Sequence, residues 1–146
     1  SGRVEDAVRE TQAALDILPT YADAAFLLGQ AQRAAGRPRE AVSTTVDLLA
    51  GDPYHLDALV LLGQALMDDG RPADAKQAFG RVLKFDPARA DALFGLGALA
   101  AAERRFREAI GFWRRTVEAA PDSPLAAAAR GNIDTALDVV TVFQNA

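Results

Sequence analysis

Cysteine is absent from the 146 residues, and histidine occurs once, at His55. A disulfide scaffold, a Cys-ligated zinc site, an iron–sulfur cluster and a cysteine nucleophile are thereby excluded, and one histidine cannot build a two-His metal site. No apolar run approaches the ~20 residues that a membrane-spanning helix needs. The N-terminus lacks the basic-then-apolar pattern of a signal peptide. It also lacks an initiating Met, so the chain reads as a soluble fragment whose compartment, cytoplasmic or periplasmic, stays open. Lysine is scarce, with 2 against 14 Arg, a ratio read as the genomic base bias of a bacterial-type protein and not as function. Val and Ile total only 13, against 32 Ala and 17 Leu. Ala and Leu form helices readily and β-branched residues do not, so composition leans all-α.

Half the residues are apolar and a quarter charged, a balance that argues for a packed domain and against disorder. The net charge of −4 disfavours a nucleic-acid binder, which needs a strongly basic face. The charge is uneven: residues 1–80 carry 7 basic and 12 acidic groups, and residues 81–146 carry 9 and 8.

An internal repeat organises the chain. Gly2-Arg3-Val4-Glu5-Asp6-Ala7 returns 34 residues later as Gly36-Arg37-Pro38-Arg39-Glu40-Ala41, and again as Gly70-Arg71-Pro72-Ala73-Asp74-Ala75. A fourth copy, Arg104-Arg105-Phe106-Arg107-Glu108-Ala109, keeps the register and loses the glycine. Three other series share the step: Pro19, Pro53, Pro87 and Pro121; Leu28-Gly29, Leu62-Gly63 and Leu96-Gly97; Asp23, Asp57 and Asp91. Within residues 56–89, Leu59, Leu62 and Leu66 recur at helical spacing, with Asp57 placed to favour the helix dipole. Gly70 ends that helix, Pro72 starts the next, Ala75, Phe79 and Val82 make its buried stripe, and Pro87 stops it.

This 34-residue helix–turn–helix unit, with Leu-Gly in the first helix, Ala and an aromatic in the second and Pro after it, resembles the tetratricopeptide repeat family. The resemblance implies an all-α, right-handed α–α solenoid. Residues 1–21 would be the second helix of a truncated repeat, 22–55, 56–89 and 90–123 three full repeats, and 124–146 a C-terminal capping helix. Departures are modest: Thr11 and Thr45 stand where Phe79 and Trp113 do, and Arg104 replaces the turn glycine, each expected to weaken packing locally. Gly29, Gly63 and Gly97 are expected to admit a close neighbour, with Ala41, Ala75 and Ala109 on the partner side. In the capping helix, Leu125, Ala129, Ile133, Leu137 and Val140 should line the packed side, with Val139 and Val142 off that stripe.

No chemistry-bearing constellation emerges. Gly95-Leu96-Gly97 lies within a helix without the third glycine or preceding strand of a dinucleotide site. Ser43-Thr44-Thr45 has no neighbouring base. Asp68-Asp69-Gly70 lacks the alternating ligands of a calcium loop and reads as a solvated helix end. His55 reads as an exposed linker residue and Trp113 as core. Arg104, Arg105, Arg107, Arg114 and Arg115 form either a solvated face or a surface for an acidic partner or anionic lipid. No cofactor, metal or catalytic residue is expected.

What the family resemblance implies is a concave groove lined by first helices. By register its residues are Phe26, Gln30 and Arg33, then Val60, Gln64 and Met67, then Phe94, Ala98 and Ala101, with Asp68 at the rim. A carboxylate clamp of the chaperone type would need Lys where Phe26, Val60 and Phe94 stand. Aromatics, amides and one Met suit an apolar or helical segment of a protein partner, although Phe26 and Phe94 fit equally well as packing between first helices. The expected role is a non-enzymatic interaction scaffold. Alternatives are a regulatory or substrate-positioning part of a larger enzyme, and homo-oligomerisation through the first helix by Val4, Val8, Leu15 and Leu18.

Overall fold

The computed structural model describes residues 2–17 and 22–145, and within them every side chain except those of Ala14, Leu15, Ile17 and Asn145. Eight helices and no strand occur among the described residues: α1 (Gly2–Ile17), α2 (Ala22–Ala34), α3 (Pro38–Gly51), α4 (Leu56–Asp68), α5 (Pro72–Phe85), α6 (Ala90–Ala102), α7 (Phe106–Ala119) and α8 (Pro124–Asn145). Two compact units divide within α5. The first is Ser1–Ala78 and the second Phe79–Ala146.

One turn recurs three times and makes the hairpins. After α2, the Gly36 N–H donates to the Arg33 carbonyl (3.0 Å) and the Arg37 N–H to the Gln32 carbonyl (2.9 Å). Gly70 and Arg71 repeat the pair of bonds onto Met67 (3.1 Å) and Leu66 (2.8 Å), and Arg104 and Arg105 repeat it onto Ala101 and Ala100, both at 2.9 Å. This closure satisfies carbonyls that the helix end would otherwise leave open, and it demands a left-handed residue at its centre. Gly36 and Gly70 adopt φ of 76° and 73°, and Arg104 adopts 63°. The arginine keeps the turn that its sequence register requires, at a steric cost of roughly 1–2 kcal/mol that glycine avoids. Pro38 then stands at the start of α3, where no helical N–H is required of it.

The opposite turns carry the prolines and cap the following helix. His55 is the N-cap of α4, its Nδ1 accepting from the Ala58 N–H at 3.0 Å. The ring also lies 5.5 Å from that of Phe26, so this half-buried histidine is part of the α2–α4 packing and not an exposed linker. Ser123 serves α8 in the same register: its Oγ accepts from the Ala126 N–H at 3.0 Å and donates to the Ala120 carbonyl at 2.7 Å.

In the first unit α1 packs on α2, α2 on α3 and α3 on α4, with α2 also touching α4. Ala41 is fully buried, as small partner residues at a close crossing must be. Thr45 is buried too, its hydroxyl donating to the Ala41 carbonyl. It leaves no gap: a Cβ on Gly29 would stand 3.0 Å from Leu61 Cδ2 and 3.3 Å from Thr45 Oγ1. In the second unit α6 packs on α7, and α7 on α8, with α6 also reaching α8. There the volumes are exchanged. Phe79 is fully buried and its ring fills the space over Gly95, where a Cβ would lie 2.6 Å from Cζ. Positions 45 and 61 hold Thr and Leu, and their register equivalents 79 and 95 hold Phe and Gly, so the smaller second-helix residue is matched by the larger first-helix one.

Helix α8 differs from its expected stripe. Ala126, Ala129 and Ala136 are the buried positions, with Ile133 and Val140 packed beside them, while Leu137 is 39% exposed. The contact therefore runs at the seven-residue spacing of a shallow helix crossing, and Leu137 lies one position round the helix from it. Val142 is exposed and Val139 half-buried.

Candidate functional site

The nine expected groove positions do not form one class of surface. Val60 is 4% exposed and belongs to the core. Phe26 is half-buried against Ala25, Leu48 and Ala58, and Phe94 and Ala101 pack beside the cluster of Ala100, Ile110 and Trp113. Ala98 and Met67 are half-buried. These burials follow from crowding at helix crossings, which the register alone does not report. Of the expected self-association residues, Val4 and Val8 are half-buried on α1, whereas Leu18 and the Leu15 side chain lie outside the described residues.

Three of the expected residues converge. Gln30, Arg33 and Gln64 line a groove of about 360 Å³ between α2 and α4, together with Ala34, Leu61 and Asp68. Helical periodicity explains the set: Gln30, Arg33 and Ala34 fall on one face of α2, and Leu61, Gln64 and Asp68 on one face of α4. Arg33 Nε donates to Asp68 Oδ2 at 2.7 Å, both side chains being rather more than a third exposed. Such a pair adds little stability in water, but it fixes a cation and an anion at one end of the groove. No side-chain hydrogen bond involves either glutamine amide among the described residues, so two donors and an acceptor on each stand available. Leu61 forms the floor. It lies outside the expected series, which runs through positions 26, 60 and 94, 30, 64 and 98, and 33, 67 and 101; its register equivalents are Leu27 and Gly95.

Four of the five arginines clustered in the sequence of the second unit fall in two places. Arg115 donates to the Pro87 carbonyl at 3.4 Å and lies over the Phe112 ring. Arg104, Arg105 and Arg107 instead border the far end of α8. Among the described residues no group of three or more His, Cys, Asp or Glu side chains comes together as a metal site requires, and no helix is long and apolar enough to cross a membrane.

A family model described as tetratricopeptide repeat matches residues 1–55 and 60–124. No curated protein matches the chain significantly in sequence. Similar solved structures include TTC0263, a thermophilic TPR protein of Thermus thermophilus, with a TM-score of 0.78 at 19% identity over 93% of this chain and 74% of that one. YrrB, described as a TPR protein with an unusual peptide-binding site, gives a TM-score of 0.77 at 22% identity over 89% and 67%. MamA from Desulfovibrio magneticus RS-1 gives 0.74 at 19% identity over 99% and 85%. At these identities the likeness speaks for the fold, an all-α helical solenoid, and for nothing finer.

Proposed function

The chain belongs to the tetratricopeptide repeat family, and on that premise we propose that it is a non-enzymatic module holding a partner polypeptide in the groove between α2 and α4. The observation that carries this reading is the pair of unengaged amides, Gln30 and Gln64, facing one cleft beside the Arg33–Asp68 pair. A glutamine amide presents a donor and an acceptor together, which is what a peptide bond offers in return. Two of them one repeat apart suit the main chain of a bound segment, with the exposed Ala34 against its side chains. The described site of YrrB is a parallel from the same family.

The groove is too small and too open to bury a partner's whole surface, so affinity would come from a few hydrogen bonds and one apolar anchor. The test is selection of a random-sequence peptide library on the chain, followed by titration of the recovered peptides. Gln30→Ala with Gln64→Ala should weaken them about tenfold or more, as loss of two or more hydrogen bonds implies, while circular dichroism stays unchanged. Peptides that bind the double variant as tightly as the parent would sink the assignment.

A further inference from the structure

A second groove, of about 470 Å³, lies in the second unit between the α6–α7 turn and the C-terminal end of α8. Its polar edge is formed by Arg104, Arg105, Arg107, Glu108 and Gln144, and its apolar lining by Phe106, Val140 and Phe143. Three observations set it apart from an ordinary solvated face. Arg104 stands in the left-handed region where Gly36 and Gly70 occupy the equivalent turns, so its side chain is present despite backbone strain. Its guanidinium carbon lies 5.9 Å from the centroid of the Phe143 ring, in reach of a cation–π contact, yet Phe143 remains 61% exposed. Neighbouring Arg105 is balanced by Glu103 at 3.3 Å and Glu108 at 3.6 Å, whereas no carboxylate pairs with Arg104 or Arg107 among the described residues.

We infer that this groove binds an acidic polypeptide segment carrying an aliphatic or aromatic side chain beside its carboxylates. Two uncompensated guanidiniums supply charge-assisted, fork-like donors for carboxylates. The exposed face of Phe143, with Val140 and Phe106 beside it, supplies a slot for one apolar side chain. Complementarity of charge selects the occupant. Anionic membrane recognition commonly uses clusters of about 4–8 basic residues, and nucleic acid needs a strongly basic face. Here two guanidiniums without a carboxylate partner among the described residues flank an apolar lining, in a region, residues 81–146, with 9 basic and 8 acidic residues. That arrangement discriminates a short acidic–apolar sequence from an extended anionic surface.

The experiment is fluorescence anisotropy of the intact chain with a labelled peptide of alternating Glu and Leu, beside Gln/Leu and Lys/Leu versions. The Glu/Leu peptide should bind, weaken steeply with added salt and exceed both controls. Arg104→Gly with Arg107→Gln should weaken it about tenfold or more, the loss expected for charge-assisted hydrogen bonds. Arg104→Gly restores the glycine of the equivalent turns, so the variant retains its fold. Phe143→Ala, on an exposed side chain, should also weaken binding. No binding of the Glu/Leu peptide, equal binding of the Gln/Leu peptide, or indifference to the arginine pair would each overturn the inference. So would binding of phosphatidylserine vesicles in its place, or concentration-dependent self-association that the arginine variant abolishes while the peptide fails to compete. Gln30→Ala with Gln64→Ala should leave this binding unchanged; if those substitutions abolish it, the peptide occupies the α2–α4 groove and the present inference fails alone.

Discussion

The indole of Trp113 occupies the space that any side chain at position 97 would need: a Cβ on Gly97 would stand 2.6 Å from Trp113 Cδ1 and closer still to Nε1. That indole N–H is buried and has no hydrogen-bond partner among the described residues. The close crossing of α6 and α7 therefore leaves one donor unsatisfied, a cost of about 1–3 kcal/mol set against burial of the ring. Gly97→Ala should destabilise the protein by about 1–3 kcal/mol. Trp113 is the sole tryptophan, so its emission reports this contact directly, and urea melts followed by fluorescence should show an earlier midpoint for Gly97→Ala. Trp113→Phe should change stability by less, since it removes the unpaired donor while losing part of the packing; circular dichroism melts measure it. A larger loss for Trp113→Phe than for Gly97→Ala would mean that the donor is engaged.

The exchange of volume between register equivalents makes a stronger prediction. Thr45→Phe should be destabilising by about 1–3 kcal/mol because Leu61 stands in the way. Adding Leu61→Gly recreates the combination seen at Phe79 and Gly95, and should recover part of the loss despite the helix penalty of glycine, about 1 kcal/mol. The measurement is a double-mutant cycle by chemical denaturation, with a favourable coupling on the order of 1 kcal/mol expected. Additive effects would show that the two positions do not share space.

Arg104→Gly should raise stability by about 1 kcal/mol, because the turn already has the backbone geometry that glycine prefers. Arg104→Ala should not, since alanine retains the Cβ that creates the strain. Thermal melts of the two variants separate backbone relief from loss of the contact with Phe143.

His55→Ala should cost about 1 kcal/mol through loss of the α4 cap. His55→Asn should recover much of it, because asparagine offers an acceptor at the same position; the part not recovered measures the ring contact with Phe26. Hydrogen exchange at the Ala58 amide should rise in the alanine variant and stay protected in the asparagine one.

Much of the fold was legible without coordinates because its turns are local. A glycine after a helix, a proline at the start of the next and a common step of 34 residues are constraints that neighbouring residues impose on each other, so Gly36, Gly70 and even Arg104 could be placed from register. The same register singled out Gln30, Arg33 and Gln64. It could not say that Val60 is core, that Leu61 floors the groove, or that α8 turns Ala136 and not Leu137 inward. Those outcomes depend on which helix crosses which, how closely, and whose side chain fills the gap. Thr45 illustrates the division: in the chain it reads as a weak point, and in the packed hairpins it is the small half of a matched pair. Local chemistry sets where a helix begins and ends, whereas volume is shared among residues far apart in sequence, and only their assembly settles it.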